Sequence, residues 1–195
     1  MIAGATTTTS PPSPIRWPKS LYHQMAESGW FRDKRVQLIE GEIVEMAPMG
    51  TPHWVVGNNT YRALLPVFPL DRFTITVQYP IDLGPGSEPE PDVAVMKGQP
   101  SDYANALPTA DSILLVIEVS DSSLAFDRGR KATMYATGGI AEYWIIDISN
   151  RTVEIYRDPI MAEGRYRDVT IHGAGSTVTP LTAQGASVRV SALIP

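Results

Sequence analysis

LLVIEVSDSSLAFDRGRKATMYATGG, Leu114 to Gly139, opens as an apolar strand, passes through a polar turn and continues as a short helix. In ILLVIEVS the side chains alternate, so Glu118 and Ser120 share one face while Val119 takes the other. A carboxylate among Leu115, Val116, Ile117 and Val119 is costly to bury unless it is paired or binds metal. Two readings of Glu118 stand. It is a strand-end charge met by a backbone N–H or an arginine, or it is part of a site. The helix expected over Arg128 to Thr137 stops at Gly138-Gly139 and carries Lys131 one turn from Arg128 and from Tyr135.

Upstream, three strands read as RFTITVQYPIDL, DVAVM and SILLVIEVS, the first two separated by the stiff loop GPGSEPEPD. Pro91-Asp92 opens DVAVM, so Asp92 stands at a strand end. If DVAVM and SILLVIEVS pair as antiparallel neighbours, the start of one lies beside the end of the other. Asp92 and Glu118 then converge and offer hard oxygens that suit Mg2+. Further upstream, Thr51-Pro52 reads as a helix start, with the helix running from His53 to about Leu65 before Pro66. VQLIEGEIVEM reads as a hairpin turning at Glu40-Gly41, and a helix is expected around Lys19 to Ser28, stopped by Gly29. Downstream, EYWIIDI and TVEIYR form two strands, with weaker strands near Tyr166–Ile171 and Ser187–Val190. Adjacent strands followed by a helical crossover predict a mixed sheet flanked by helices, an α/β (α+β) fold.

The bulk properties agree with a globular chain. The sequence has 195 residues, 43% hydrophobic and 19% charged. Residues 1 to 16 are rich in Thr, Ser and Pro and read as a disordered tail, leaving 17–195 as a single domain. The N-terminus lacks the basic start and apolar stretch of a secretory signal, and no apolar run approaches the roughly 20 residues that span a bilayer. With no cysteine, the chain has no disulfide or thiolate chemistry and suits a reducing cytoplasm. The net charge of −5 counts against a protein that coats nucleic acid by bulk electrostatics. A nucleic-acid partner has to meet a local basic patch or be held partly through metal ions.

The ordered set of Pro91-Asp92, a strand, Glu118-Val119-Ser120 and a helical lysine resembles the PD-(D/E)xK nuclease superfamily. More narrowly, LIEGEIVEM, the Thr-Pro-His helix start, EPDVAV, LLVIEVSDSS, DRGRKATMYA and AEYWIID are together similar to the Uma2 (DUF820) group of endonucleases, over roughly Lys19 to Pro159. The resemblance implies a restriction-endonuclease-like core with an added N-terminal helix and hairpin. It also implies Mg2+ or Mn2+ held by Asp92, Glu118 and the carbonyl of Val119, and hydrolysis of phosphodiester bonds in nucleic acid, DNA before RNA. The superfamily pattern puts a lysine two residues after the glutamate, where this chain has Ser120. Relatives that lack it there draw the lysine from the next helix, which makes Lys131 the candidate. The extra acidic residue that often precedes the Pro-Asp motif is assigned to Glu42, with a solvated hairpin charge as the alternative.

Four further residues are expected around substrate. His53 is expected to be neutral at its helix N-terminus and to bind a phosphate or orient Glu42, or else simply to pack. Gln78 is the uncharged polar residue of TITVQYPI that can face the same cleft. Arg128 and Arg130, with Lys131, form the densest basic cluster, suited to phosphates or to a solvated helix face. Tyr143 and Trp144 read as core or as dimer contact. A homodimer is expected because exposed edge strands have to be covered and a duplex has two strands to cut. The rival to an enzyme is a non-catalytic nuclease-fold module that binds nucleic acid or protein.

Overall fold

A computed structural model describes residues 13–194. Six strands form the central mixed sheet: β3 (Phe73–Val77), β4 (Val93–Lys97), β5 (Ile113–Ser120), β6 (Glu142–Asp147), β7 (Thr152–Ile160) and β8 (Arg165–Gly173). They lie in the order β3-β4-β5-β6-β7-β8. Only β5 and β6 run parallel, with Glu118 opposite Ile145. The connection between them carries helices α3 (Leu124–Phe126) and α4 (Ala132–Thr137), the crossover that parallel neighbours require. Before the sheet come α1 (Lys19–Glu27), the hairpin β1 (Val36–Ile39) and β2 (Glu42–Glu45), and α2 (Thr51–Leu64). A short pair, β9 (Thr177–Val178) and β10 (Val188–Arg189), and α5 (Val190–Leu193) follow it.

Alternation along β5 and β6 divides the core in two. Leu115, Ile117, Val119, Trp144 and Ile146 meet residues of α2 and α5, such as Val56, Leu64 and Leu193, on one face. Val116, Tyr143 and Ile145 meet Met134, Tyr135 and Ala136 of α4 on the other. Both central strands are buried from end to end, which explains their near-continuous apolar runs. Glu118 falls on the α4 side, where a carboxylate needs partners from that helix. Trp144 and Tyr143 are fully buried, which settles them as core and not as dimer contact.

Several boundaries differ from the sequence expectation. The helix expected from Arg128 begins at Leu124 and passes through a π-helical turn, Asp127–Lys131, before α4. The expected strand RFTITVQYPIDL shortens to Phe73–Val77, because Gln78 takes a positive φ of 50° and turns the chain. Thr51 is the first helical residue of α2, and Gly50 is its cap without a side-chain bond. Positive φ at Glu40 and Gly41, 49° and 77°, forms the tight hairpin turn at the expected place. Strands β7 and β8 are longer than expected, because they pair with each other along most of their length. The tail expected over residues 1 to 16 falls, for residues 1–12, outside the described residues. At its end, Arg16 is tied to the hairpin by an ion pair with Glu42 (2.5 Å) and a bond to the Glu40 carbonyl.

Candidate active site

Antiparallel pairing of β4 with β5 sets Val93 opposite Ile117. Asp92, one residue before β4, therefore lies beside Glu118 and Val119, as the strand order predicts. Its Oδ2 accepts the Val119 backbone N–H at 2.8 Å and faces His53 Nε2 at 3.0 Å. Oδ1 accepts Gln78 Nε2 at 3.4 Å. The left-handed turn at Gln78 aims that amide at Asp92, and Arg35 holds its other end at 3.2 Å. His53, in the first turn of α2, bonds Asp92 and not Glu42.

Glu118 is 1% exposed and Lys131 7% exposed, and they form an ion pair at 2.8 Å. The second Glu118 oxygen accepts the Tyr135 hydroxyl at 2.6 Å. Lys131 and Tyr135, one turn apart, thus both turn inward onto the same carboxylate. The π turn sets this geometry. The Ala132 N–H reaches back five residues to the Asp127 carbonyl, which also accepts the Tyr143 hydroxyl at 3.1 Å. Inserted turns of this kind recur at functional sites.

Asp127 is a site residue that the sequence reading missed. It is buried; its Oδ2 accepts Ser120 Oγ at 2.6 Å and Ser123 Oγ at 2.5 Å. Its Oδ1 has no hydrogen-bond partner and lies 3.6 Å from Lys131 Nζ. Ser120, at the position where the resemblance would put lysine, donates to the aspartate that faces Lys131. The readable signal was Asp127 four residues before Lys131 on one helix. Among the described residues three buried polar side-chain atoms lack a partner, and two of them, His53 Nδ1 and Asp127 Oδ1, border this cleft. Buried polar atoms are rarely left so, and their clustering marks the place.

The charges are unbalanced. Three carboxylates, Asp92, Glu118 and Asp127, meet one ammonium and one imidazole. Burial pushes the Glu118 carboxyl up to about 8; Asp92 and Asp127 push the same way, and the Lys131 ammonium opposes them. Burial disfavours the Lys131 cation, but Glu118, Asp127 and Asp92 outweigh it and hold its pKa above the ordinary lysine value. Burial also favours neutral Asp92, yet the bond and charge of His53, with Lys131 and the Val119 N–H, hold it below the usual carboxylate value. For His53, burial lowers the pKa, and the hydrogen bond and charge of Asp92, aided by Glu118, more than reverse it. The Asp92 carboxylate thus acts on His53 against the helix N-terminus, which disfavours the imidazolium.

The remaining candidates lie apart. Glu42 pairs with Arg16 and with Arg130, each at 2.5 Å, and is not among the residues lining the cleft. Both of its carboxylate oxygens are taken up by these arginines. Arg130 also donates to the Ile39 carbonyl at 2.9 Å, and Arg128 pairs with Glu154 and with Asp147. The expected basic patch is therefore three cations pointing three ways, each met by acid.

A mixed sheet with its single parallel pair at the centre, flanked by helices, defines a restriction-endonuclease-like fold. The chain belongs to the Uma2 family, whose model carries the description "Putative restriction endonuclease" and matches residues 20–191. A crystal structure described as a putative nuclease belonging to DUF820, from Anabaena variabilis ATCC 29413, is similar at 16% identity. The likeness covers 92% of this chain and 97% of that one, with a TM-score of 0.68. No protein of curated function matches the chain. Among the described residues no helix is long and apolar enough to cross a membrane.

Proposed function

We propose that the chain is a Mg2+- or Mn2+-dependent nuclease that hydrolyses phosphodiester bonds, preferring DNA to RNA, in the cytoplasm and as one domain over residues 17–195. The observation that carries this is the buried Lys131–Glu118 pair beside Asp92, in a cleft with more carboxylate than cation. The donors fit a hard divalent cation: Asp92 and Glu118, with the Val119 carbonyl, would supply oxygen ligands, and the surplus negative charge has to be met by protons or by metal. Among the described residues no three His, Asp or Glu side chains are placed to hold one metal ion, so water and phosphate would complete the shell. Such a cation, once bound, supplies Lewis-acid polarisation of the phosphate and a more acidic bound water.

The protein's own groups do the rest. Lys131, held as the cation by three carboxylates, neutralises charge developing on the phosphorane and is unsuited to act as a free base. Tyr135, whose pKa burial and Glu118 raise well above its ordinary value, remains a donor and fixes the Glu118 oxygen it holds. Asp127 positions Lys131 through its unpartnered oxygen. His53 and Gln78 orient Asp92. Arg128 and Arg130, proposed for phosphates, would have to leave Glu154 and Glu42 to reach them, and Glu42 acts in the site only after such a change. A homodimer would cover the outer strand β8, where Val169 and Ile171 are exposed.

Neutralisation of both arginines favours a second reading, the non-catalytic binding module. Cleavage of plasmid, single-stranded DNA and RNA in Mg2+ and Mn2+, run beside Asp92→Ala, decides. The nuclease reading expects metal-dependent cutting that Asp92→Ala abolishes; equal inactivity of both proteins, with no heat of Mg2+ binding, leaves the binding module.

A further inference from the structure

A second cavity of about 360 Å³ opens off the cleft and shares Asp92, His53 and Gln78 with it. Its wall is one face of α2, where Trp54, Gly57, Asn58 and Tyr61 follow at helical spacing. Val77, at the end of β3, closes the other side. Trp54 is 57% exposed, unusual for a residue that buries well. Gly57 is the sharper anomaly. It sits in the interior of a 14-residue helix, where glycine costs about 1 kcal/mol relative to alanine. An interior glycine ordinarily makes room for a close neighbour, yet apart from its chain neighbours and the adjoining backbone of its own helix no atom lies within 4 Å of where its Cβ would be. The residue is buried, and its missing side chain opens directly onto the cavity.

We infer that this slot takes an unpaired nucleobase of the substrate, stacked on Trp54 beside the phosphate bound at Asp92. This rests on the nuclease reading and names its substrate class: a single strand, or a strand with one base swung out of the duplex. The neighbours of a phosphate in nucleic acid are nucleosides, so a cavity continuous with Asp92 receives one of them. An aromatic face serves every base, and the Gln78 amide at the rim adds a polar contact. Base pairing occupies the edges and stacking faces that the slot would engage, so the base has to be unstacked to enter.

The test measures binding by the full chain, with Ca2+ as the divalent cation, of an oligothymidylate and of an abasic strand of equal length and charge. Wild type is expected to prefer the base-bearing strand by about 5- to 100-fold. Trp54→Ala and Gly57→Leu are expected to abolish that preference while leaving the abasic strand's affinity unchanged. Gly57→Leu fills the slot, and Trp54→Ala, at an exposed position, leaves the fold intact. Equal binding of the two strands by wild type overturns the slot alone, provided that metal-dependent cleavage is observed. If Trp54→Ala instead converts a dimer to a monomer and leaves the preference in place, the face is a contact between copies and the inference fails. No binding of either strand, together with no cleavage, overturns the slot and the nuclease reading together.

Discussion

Replacing Glu118 with glutamine isolates the charge that the site cannot balance alone. The folded carboxyl holds its proton up to about 8, against 4.5 for the ordinary group. The metal-free protein therefore has this contribution in full below pH 4.5 and loses it as pH rises through about 8. At 1.36 kcal/mol for each tenfold change in proton affinity, the loss is on the order of 5 kcal/mol. For a chain of 195 residues that corresponds to roughly 10–20 °C of melting temperature. His53, raised above its ordinary 6.5, adds a smaller loss of the same sign above that pH. Asp92, held low, gives up its contribution only below 3.8, and Lys131, held high, only above 10.5, so neither acts in the window. Thermal unfolding in EDTA from pH 5 to 9 is expected to show a steep fall for wild type. Glu118→Gln should leave only the shallow part due to His53. Added Mg2+ should restore wild type at pH 9 and do little at pH 5, because metal and proton compete for the same carboxylate. A flat wild-type profile, or a full slope surviving in Glu118→Gln, refutes the reasoning.

Other outcomes follow from the same contacts. Lys131→Ala should abolish turnover with metal affinity largely retained by calorimetry, and Lys131→Arg should rescue poorly because the guanidinium is larger and planar. Asp127→Asn keeps acceptor capacity for Ser120 and Ser123 but loses charge beside Lys131; kcat should drop about 10- to 100-fold and the alkaline limb of the pH–rate profile should move down, since fewer carboxylates hold the ammonium. Tyr135→Phe removes the bond to Glu118 in a buried site and should cost about 1–3 kcal/mol in chemical denaturation. Arg130→Ala, exposing Glu42 and Glu40, should change stability by less than about 1 kcal/mol in chemical denaturation.

What the sequence discloses, and what it hides, follows from the range of the interactions. Continuous apolar runs identify β5 and β6, because strands buried on both faces need no alternation. The meeting of Asp92 with Glu118 is readable from strand order, since an antiparallel neighbour returns to the same end. Lys131 is readable from helix spacing and from the short connection after Ser120. Asp127 is not, because its inward turn depends on one extra residue of helical winding that local propensity does not announce. The pairings of Arg128 with Glu154 and Arg130 with Glu42 join residues far apart in sequence, so a basic run reads as a patch when it is three separate bridges. Gln78 reads as mid-strand because a left-handed φ at a non-glycine residue has no sequence mark. The stretch Asp168–Ile171, mostly exposed, carries too little alternation to show that β8 pairs along most of β7.

Plasmid cleavage in Mg2+ by wild type and Lys131→Ala, with metal binding measured on both, tests the central claim most directly. Both proteins are expected to bind the ion, and only wild type to cut. Wild type that cuts no better than Lys131→Ala while both bind metal would contradict it.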